Sequence, residues 1–462
     1  MPTQQPADLL IEARWVLPIA PAPVALYEHA VAVSDGRIAA IGPCGELAAR
    51  FAPRERLVRP HHVLLPGFVN AHTRAGRTLL RGRPAHPRKA QGTAAATGAG
   101  SASAAPAAGS SWVSADLVRD SARLAAAEML RAGITSFGSR DLYPEEVARV
   151  ASAARMRAAI GLPVEERANA WAESLTGHLA KAERLWDEYR SDAWVSLHFA
   201  PDAAHGLSDA TLERIRTVAD ELDARIVMPV HETQQDVRDG LARHGVRALE
   251  RLHSLGLLRP GFTALYLNRV EPPELDLLAR TGVAVVVCPQ ASARRGLGVP
   301  RLSELAERGV PTGLGSGSPT DAFALDVLAE ARTAALLASS TAGTRDALPA
   351  ERALELATLG GAAALGLKSV TGSLEAGKAA DLIAIDVSSI GCGPDCSPAE
   401  AVLFGASREC VSDAWINGVA RVAHGRLLAY DEEELRELVR RWDERLSGAG
   451  ASHLDTARRG AA

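Results

Sequence analysis

Two short runs place imidazole, carboxylate and guanidinium groups where they could act together: Asn70-Ala71-His72-Thr73-Arg74 and Met228-Pro229-Val230-His231-Glu232. A glutamate held within reach of a reacting proton can serve as a general base. A lone imidazole, however, does not hold a divalent ion, because such sites use at least three protein ligands. Residues two apart on a strand share a face, so His231 is expected to look inward or toward a pocket, in a packing or hydrogen-bonding role. Glu232 is read as a carboxylate paired with Arg74, since buried charges need partners. Asp202, His205 and Asp321 offer the donors of an improvised second site, but Asp321 reads better as the opening residue of a helix. Cys288 is read as a buried, inert thiol and His198 as a core residue in mid-strand. His61 and His62 precede the first barrel strand and read as structural. Cys392 and Cys396 fall in a GCGPDC run that reads as a surface loop.

Such side chains act only if elements bring them to one place. From Val63 to Gly317 short apolar, β-branched runs alternate with amphipathic helical patterns. The runs are VLLPGFVNAH (63–72), ITSFG (134–138), RAAIGLPV (157–164), WVSLHFAP (194–201), RIVMPVHE (225–232), FTALYLN (262–268), VAVVVCP (283–289) and VPTGLGSG (310–317). Alternating βα units imply a parallel sheet, and eight of them in this span predict an α/β fold with a (β/α)8 TIM-type barrel over 63–369. Catalytic groups of such barrels sit at the C-terminal ends of the strands, where both opening runs fall. Short β-rich patterns at both chain ends, 1–62 and 370–430, predict one small composite β-sandwich domain, and 431–462 a C-terminal helix and tail. Residues 90–111 are almost all small, without periodicity, and are expected to form a mobile loop on the active face.

The 462 residues carry a formal net charge of −4, which gives no reason to expect nucleic acid or an anionic membrane as partner. No apolar run approaches the roughly 18 residues that span a bilayer. The first residues, MPTQQPADLL, lack a signal-peptide pattern, and five cysteines make no disulfide framework, so a cytoplasmic location is expected.

PGFVNAHTRAGRTLLRG is similar to the strand-1 motif of the amidohydrolase superfamily. Within it the sequence resembles the branch of methylthioadenosine/S-adenosylhomocysteine deaminases and triazine hydrolases. The resemblance extends through SDATLERI, HETQQDV, the run from Leu314 to Leu328, and GSLEAGKAADLIAIDV. It implies a divalent metal, zinc or iron, held by His-x-His on strand 1, a histidine on strand 5 and an aspartate on strand 8. It implies also a proton-shuttling glutamate and substrate histidines on strands 4 and 6. Carried over position by position, His72 matches the first ligand and Glu232 the glutamate, while Arg74, Pro229 and Gly317 stand at the other ligand positions. Tyr266 and Asp202 stand at the substrate histidines. With one ligand of four kept, the expectation is a pocket of Arg74, Asp202, His231, Tyr266 and Gly317 that holds no cofactor. Metal-dependent hydrolysis is expected to be lost, leaving a binding, regulatory or assembly role. The alternatives are an active metal-dependent C–N hydrolase on a purine-nucleoside- or triazine-like ring, and a metal-free enzyme that reuses the pocket. Implied partners are a small-molecule ligand and further subunits, in a homo-oligomer or with an active paralogue.

Overall fold

The computed structural model describes residues 4–82, 113–388, 392 and 396–459. Residues 90–111 lie outside the described residues. Among the described residues sixteen strands form two eight-stranded sheets. Chain order begins with β1 (Gln5–Val16), β2 (Leu26–Ser34), β3 (Arg37–Pro43) and β4 (Phe51–Pro66). The barrel strands are β5 (Phe68–Thr73), β6 (Ile134–Arg140), β7 (Arg157–Val164), β8 (Val195–Pro201), β9 (Arg225–Val230), β10 (Phe262–Tyr266), β11 (Ala284–Val287) and β12 (Thr312–Leu314). β13 (Leu382–Asp386), β14 (Val411–Ile416), β15 (Val419–Ala423) and β16 (Arg426–Leu427) return to the first sheet.

The barrel sheet runs β5 to β12 in sequence order, every neighbouring pair parallel. It closes where Thr73 bridges Gly317 in parallel register, the Gly317 N–H donating to the His72 carbonyl at 3.0 Å and the Thr73 hydroxyl to the Gly317 carbonyl at 2.9 Å. The first apolar run is two strands rather than one. Residues 63–66 end β4 in the other sheet, and β5 begins at Phe68 after Gly67. A Cβ on Gly67 would stand 2.1 Å from Thr135 Oγ1, so only glycine lets the chain pass from one sheet to the other here.

The helices wrapping the barrel start where short polar residues can take up orphan N–H groups. Ser114, Ser174 and Ser208 accept from Leu117, Gly177 and Thr211, and Thr233 forms a capping box with Asp236. Gly245, Gly282 and Gly343 end helices in the left-handed conformation. Asp321 does not open a helix. It lies in a turn, and Asp326 caps the helix Val327–Ala342 through the Ala329 N–H.

Strands from both chain ends share the sheet β16-β15-β14-β13-β4-β1-β2-β3. It folds back on itself, with Arg37 bridging Ala379 and the turn at Gly36 packed on Asn417. An ion pair ties this unit to the barrel: Arg157 Nε, at the start of β7, donates to Asp381 Oδ2 at 2.6 Å, and Asp381 Oδ1 accepts from the Asn417 N–H at 2.9 Å. The helix Glu432–Arg459 docks Leu438, Trp442 and Leu446 against Leu117, with Trp442 Nε1 donating to Asp120 at 2.8 Å.

Candidate active site

The C-terminal ends of β5, β6, β8, β9 and β10 bring His72, Arg74, Arg140, Asp202, Glu232 and Tyr266 to the mouth of the barrel, all of them buried. His72 Nε2 and the Tyr266 hydroxyl share a hydrogen bond of 3.2 Å, with the rings edge to face. Burial, then the nearby Arg74 and Arg140 charges, holds the His72 imidazole well below its usual range. Burial and the Glu232 charge push the Tyr266 phenol well above its own. Both rings are therefore neutral near pH 7. Beneath them His72, Ser139, Arg140 and His198 line a void of about 10 Å³ inside the barrel, close to the room one water needs.

Glu232 is paired, but not with Arg74. Arg295, at the end of the helix Pro289–Arg294 after β11, is a cation in contact with its Oε1, and Arg74 acts on it from farther off. Burial raises the Glu232 pKa and the Arg295 charge opposes that rise. Asn268 Nδ2 donates to the Glu232 carbonyl at 3.0 Å while its Oδ1 accepts from Ser292 at 2.9 Å, which fixes the backbone carrying the carboxylate. Asp202 is held by Arg140 at 3.2 Å, with Arg167 at 3.9 Å. His231, at φ +50°, faces a different group: its Nε2 accepts from the Ala248 N–H at 3.2 Å, and its Nδ1 lies 3.5 Å from Glu274, beside Arg247. Cys288 is fully buried and its thiol pKa is pushed well up by burial. Asp202, His205 and Asp321 do not gather into a second site, and among the described residues no three His, Cys, Asp or Glu side chains form a metal-binding group.

Local backbone explains two of the unusual residues. Gly317 has φ +66°, and a Cβ there would stand 3.1 Å from that of Ala291, so the barrel closure itself favours glycine. Pro229 lacks an N–H, and the β8–β9 ladder has already ended at Phe199 and Ile226, so a proline is tolerated at this point of β9. Arg295, Arg140 and Asn268 were missed from sequence. A buried carboxylate calls for a cation, but the ARRG run at 293–296 was one of many arginine-bearing segments.

These features define a (β/α)8-barrel protein with a buried, charged pocket at the strand ends, carrying a second domain from its chain termini. The amidohydrolase family model matches residues 63–421. The chain is 33% identical to a 5-methylthioadenosine/S-adenosylhomocysteine deaminase of Saccharophagus degradans, over 98% of this chain and all of that one. A Teredinibacter turnerae protein of the same name is also 33% identical, over 95% and 98% of the two chains. The crystal structure of a zinc-bound adenosine deaminase from Xanthomonas campestris superposes with a TM-score of 0.90 at 35% identity, covering 96% of this chain and 100% of that one. A zinc complex of atrazine chlorohydrolase from Arthrobacter aurescens, at 19% identity and a TM-score of 0.83, shares the fold. The chain belongs to the amidohydrolase family.

These likenesses overturn two expectations, that hydrolysis has been lost and that no cofactor is bound. The relatives are named as deaminases and hydrolases, and the two solved structures described above carry zinc. Changes at three of the four ligand positions together carried the expectation of a lost site, whereas the buried carboxylate, the neutral ring pair and the scaffold remain. The donor set at the ligand positions is nevertheless His72, Arg74, Pro229 and Gly317. Three of these four offer no ligand to a divalent ion, so the described side chains do not fit one and no step is assigned to it. No helix among the described residues is long and apolar enough to cross a membrane.

Proposed function

We propose that this protein is an active C–N hydrolase that removes an amine from a purine-nucleoside- or triazine-like ring. The observation that carries the reading is end-to-end likeness to named deaminases together with a buried glutamate kept at the mouth of the barrel. Water adds to the ring carbon, the C–N bond breaks and ammonia leaves. Glu232 takes the proton of the attacking water and returns it to the departing nitrogen. Its burial raises the carboxyl toward the operating range, and Arg295 keeps it ionised enough to accept. Neutral His72 and Tyr266 offer hydrogen bonds to a polar heterocycle, and Arg74 supplies positive charge near the carboxylate. Zinc enters the proposal from the relatives that carry it, not from the donor set. A cytoplasmic place for the enzyme and a homo-oligomer are part of the proposal.

The test is turnover of adenosine, 5-methylthioadenosine and aminotriazines, followed by ammonia release, with added zinc and after chelation. Turnover that falls by about 10²–10⁴ in Glu232→Gln is expected. Absence of ammonia release from all three substrate classes, with and without zinc, refutes the reading.

A further inference from the structure

At the opposite, N-terminal end of the barrel lies a second cavity, about 350 Å³, in the size range of small-molecule sites. It opens between the first residues of β7, β8 and β9, the end of the helix Leu175–Tyr189, and the segment Leu365–Leu367 that plugs the base of the barrel. Its walls divide into two kinds. Trp186, Tyr189, Leu365 and Leu367 give flat and aliphatic surface, while Arg225 brings a guanidinium from the first position of β9.

Arg225 is an unusual residue to find there. Its Nη2 donates to Thr263 Oγ1 at 3.3 Å and to the Ala364 carbonyl at 3.2 Å. Its Nε is buried without an acceptor, and among the described residues no carboxylate lies within ion-pair distance. Burial alone governs its titration, lowering its pKa, with no acidic neighbour offsetting it. The acids that line the cavity are otherwise placed. Asp192 accepts from the Trp194 and Val195 N–H groups at 2.7 and 2.9 Å and from the Ser152 hydroxyl at 2.8 Å, and Asp223 is exposed. Arg190 is exposed as well and lies 3.8 Å from Asp187. A part-buried cation with no counter-charge is costly unless something pairs with it. Here it faces a cavity large enough to admit a partner.

We propose that this cavity binds a small aromatic carboxylate, its acid group on Arg225 and its ring against Trp186 and Tyr189. With Nη2 committed to Thr263 and Ala364 and Nε closed off, Nη1 is the donor left for a carboxylate, and the aromatic and leucine walls match a ring that a bare inorganic anion would leave uncovered. The cavity opens at the other end of the barrel from the strand-end pocket, sharing only His198 and Val227 with the small void beneath His72, and does not rest on the hydrolase reading, so either can fail alone.

Titration calorimetry of the full chain with benzoate tests this, with benzyl alcohol as the neutral body and acetate as the bare acid. Saturable one-to-one binding of benzoate is expected, at least about tenfold tighter than either control, as a charge-assisted bond implies. Arg225→Met should remove most of that preference. Ser196→Trp, at an exposed lining position, should block binding with Arg225 intact, which separates occlusion from misfolding. No benzoate binding, equal affinity for benzyl alcohol, or unchanged binding in both variants overturns the proposal.

Discussion

Replacing Arg295 by methionine tests how the Glu232 carboxylate is kept charged. The two side chains are 15% and 1% exposed, so solvent does little to screen the pair. Removing one partner of a buried pair costs about 3–5 kcal/mol when the other stays ionised. The carboxylate has an escape, which is to take a proton. Starting from the ordinary glutamate value of 4.5, that route costs about 1.4 kcal/mol per pH unit, or about 2 kcal/mol at pH 6 and about 5 at pH 8. The cheaper route caps the loss, so the variant should be at most about 2 kcal/mol less stable at pH 6 and at most about 3–5 at pH 8, the remaining contacts of Glu232 reducing both. The sign follows from a folded pKa already raised by burial. Stability tied to this group is fully present below the unfolded value and declines as pH rises through the folded one, and removing Arg295 moves that folded value higher. Calorimetry of wild type and variant at the two pH values reads the difference. With about 2.1 cal/mol/K per residue, a chain this long loses on the order of 1 °C of Tm per kcal/mol if it melts as one unit. Adding Glu232→Gln should recover much of the loss, since a neutral amide needs no cation. Equal losses at both pH values, or no recovery in the double variant, would refute the pairing argument.

Glu330 is fully buried, with Oε2 accepting from the Gln290 N–H at 2.9 Å and its pKa raised to about 8. It is protonated in the fold at neutral pH, so its contribution is present below the unfolded value of 4.5 and is lost as pH rises through about 8. Glu330→Gln should therefore gain Tm relative to wild type between pH 5 and pH 9, and a constant difference in calorimetry would contradict this. Asp381→Asn weakens the buried Arg157 tie between the barrel and the second domain, and should cost about 3 kcal/mol in urea denaturation. A loss under about 1 kcal/mol would show that the tie contributes little. Gly67→Ala places a Cβ into the Thr135 side chain and should cost about 1–3 kcal/mol, read by the same melt.

The barrel was legible because its signal is local. Apolar runs such as VAVVV at 283–287 and Ser or Thr caps such as Ser208 and Thr233 declare strand and helix before any contact is made. The β4–β5 boundary was not, because VLLPGFVNAH is apolar on both sides of Gly67 and only the Thr135 side chain forbids a Cβ there. In the site the partners of the singled-out residues could not be read from the sequence. Glu232 finds Arg295 across 63 positions of chain, and His231 turns at positive φ toward Ala248 and Glu274. Strand periodicity places a side chain on a face only while the strand continues, and β9 ends at Val230, before both. The functional reading strayed for a related reason. Residue identity at Arg74, Pro229 and Gly317 says which donors are missing, yet Gly317 and Pro229 also answer to barrel closure and to the end of a strand ladder. A substitution with a backbone reason carries less information about chemistry than one without. By that measure Arg74, buried at the mouth with no backbone constraint to account for it, is the change whose chemical consequence most needs measuring.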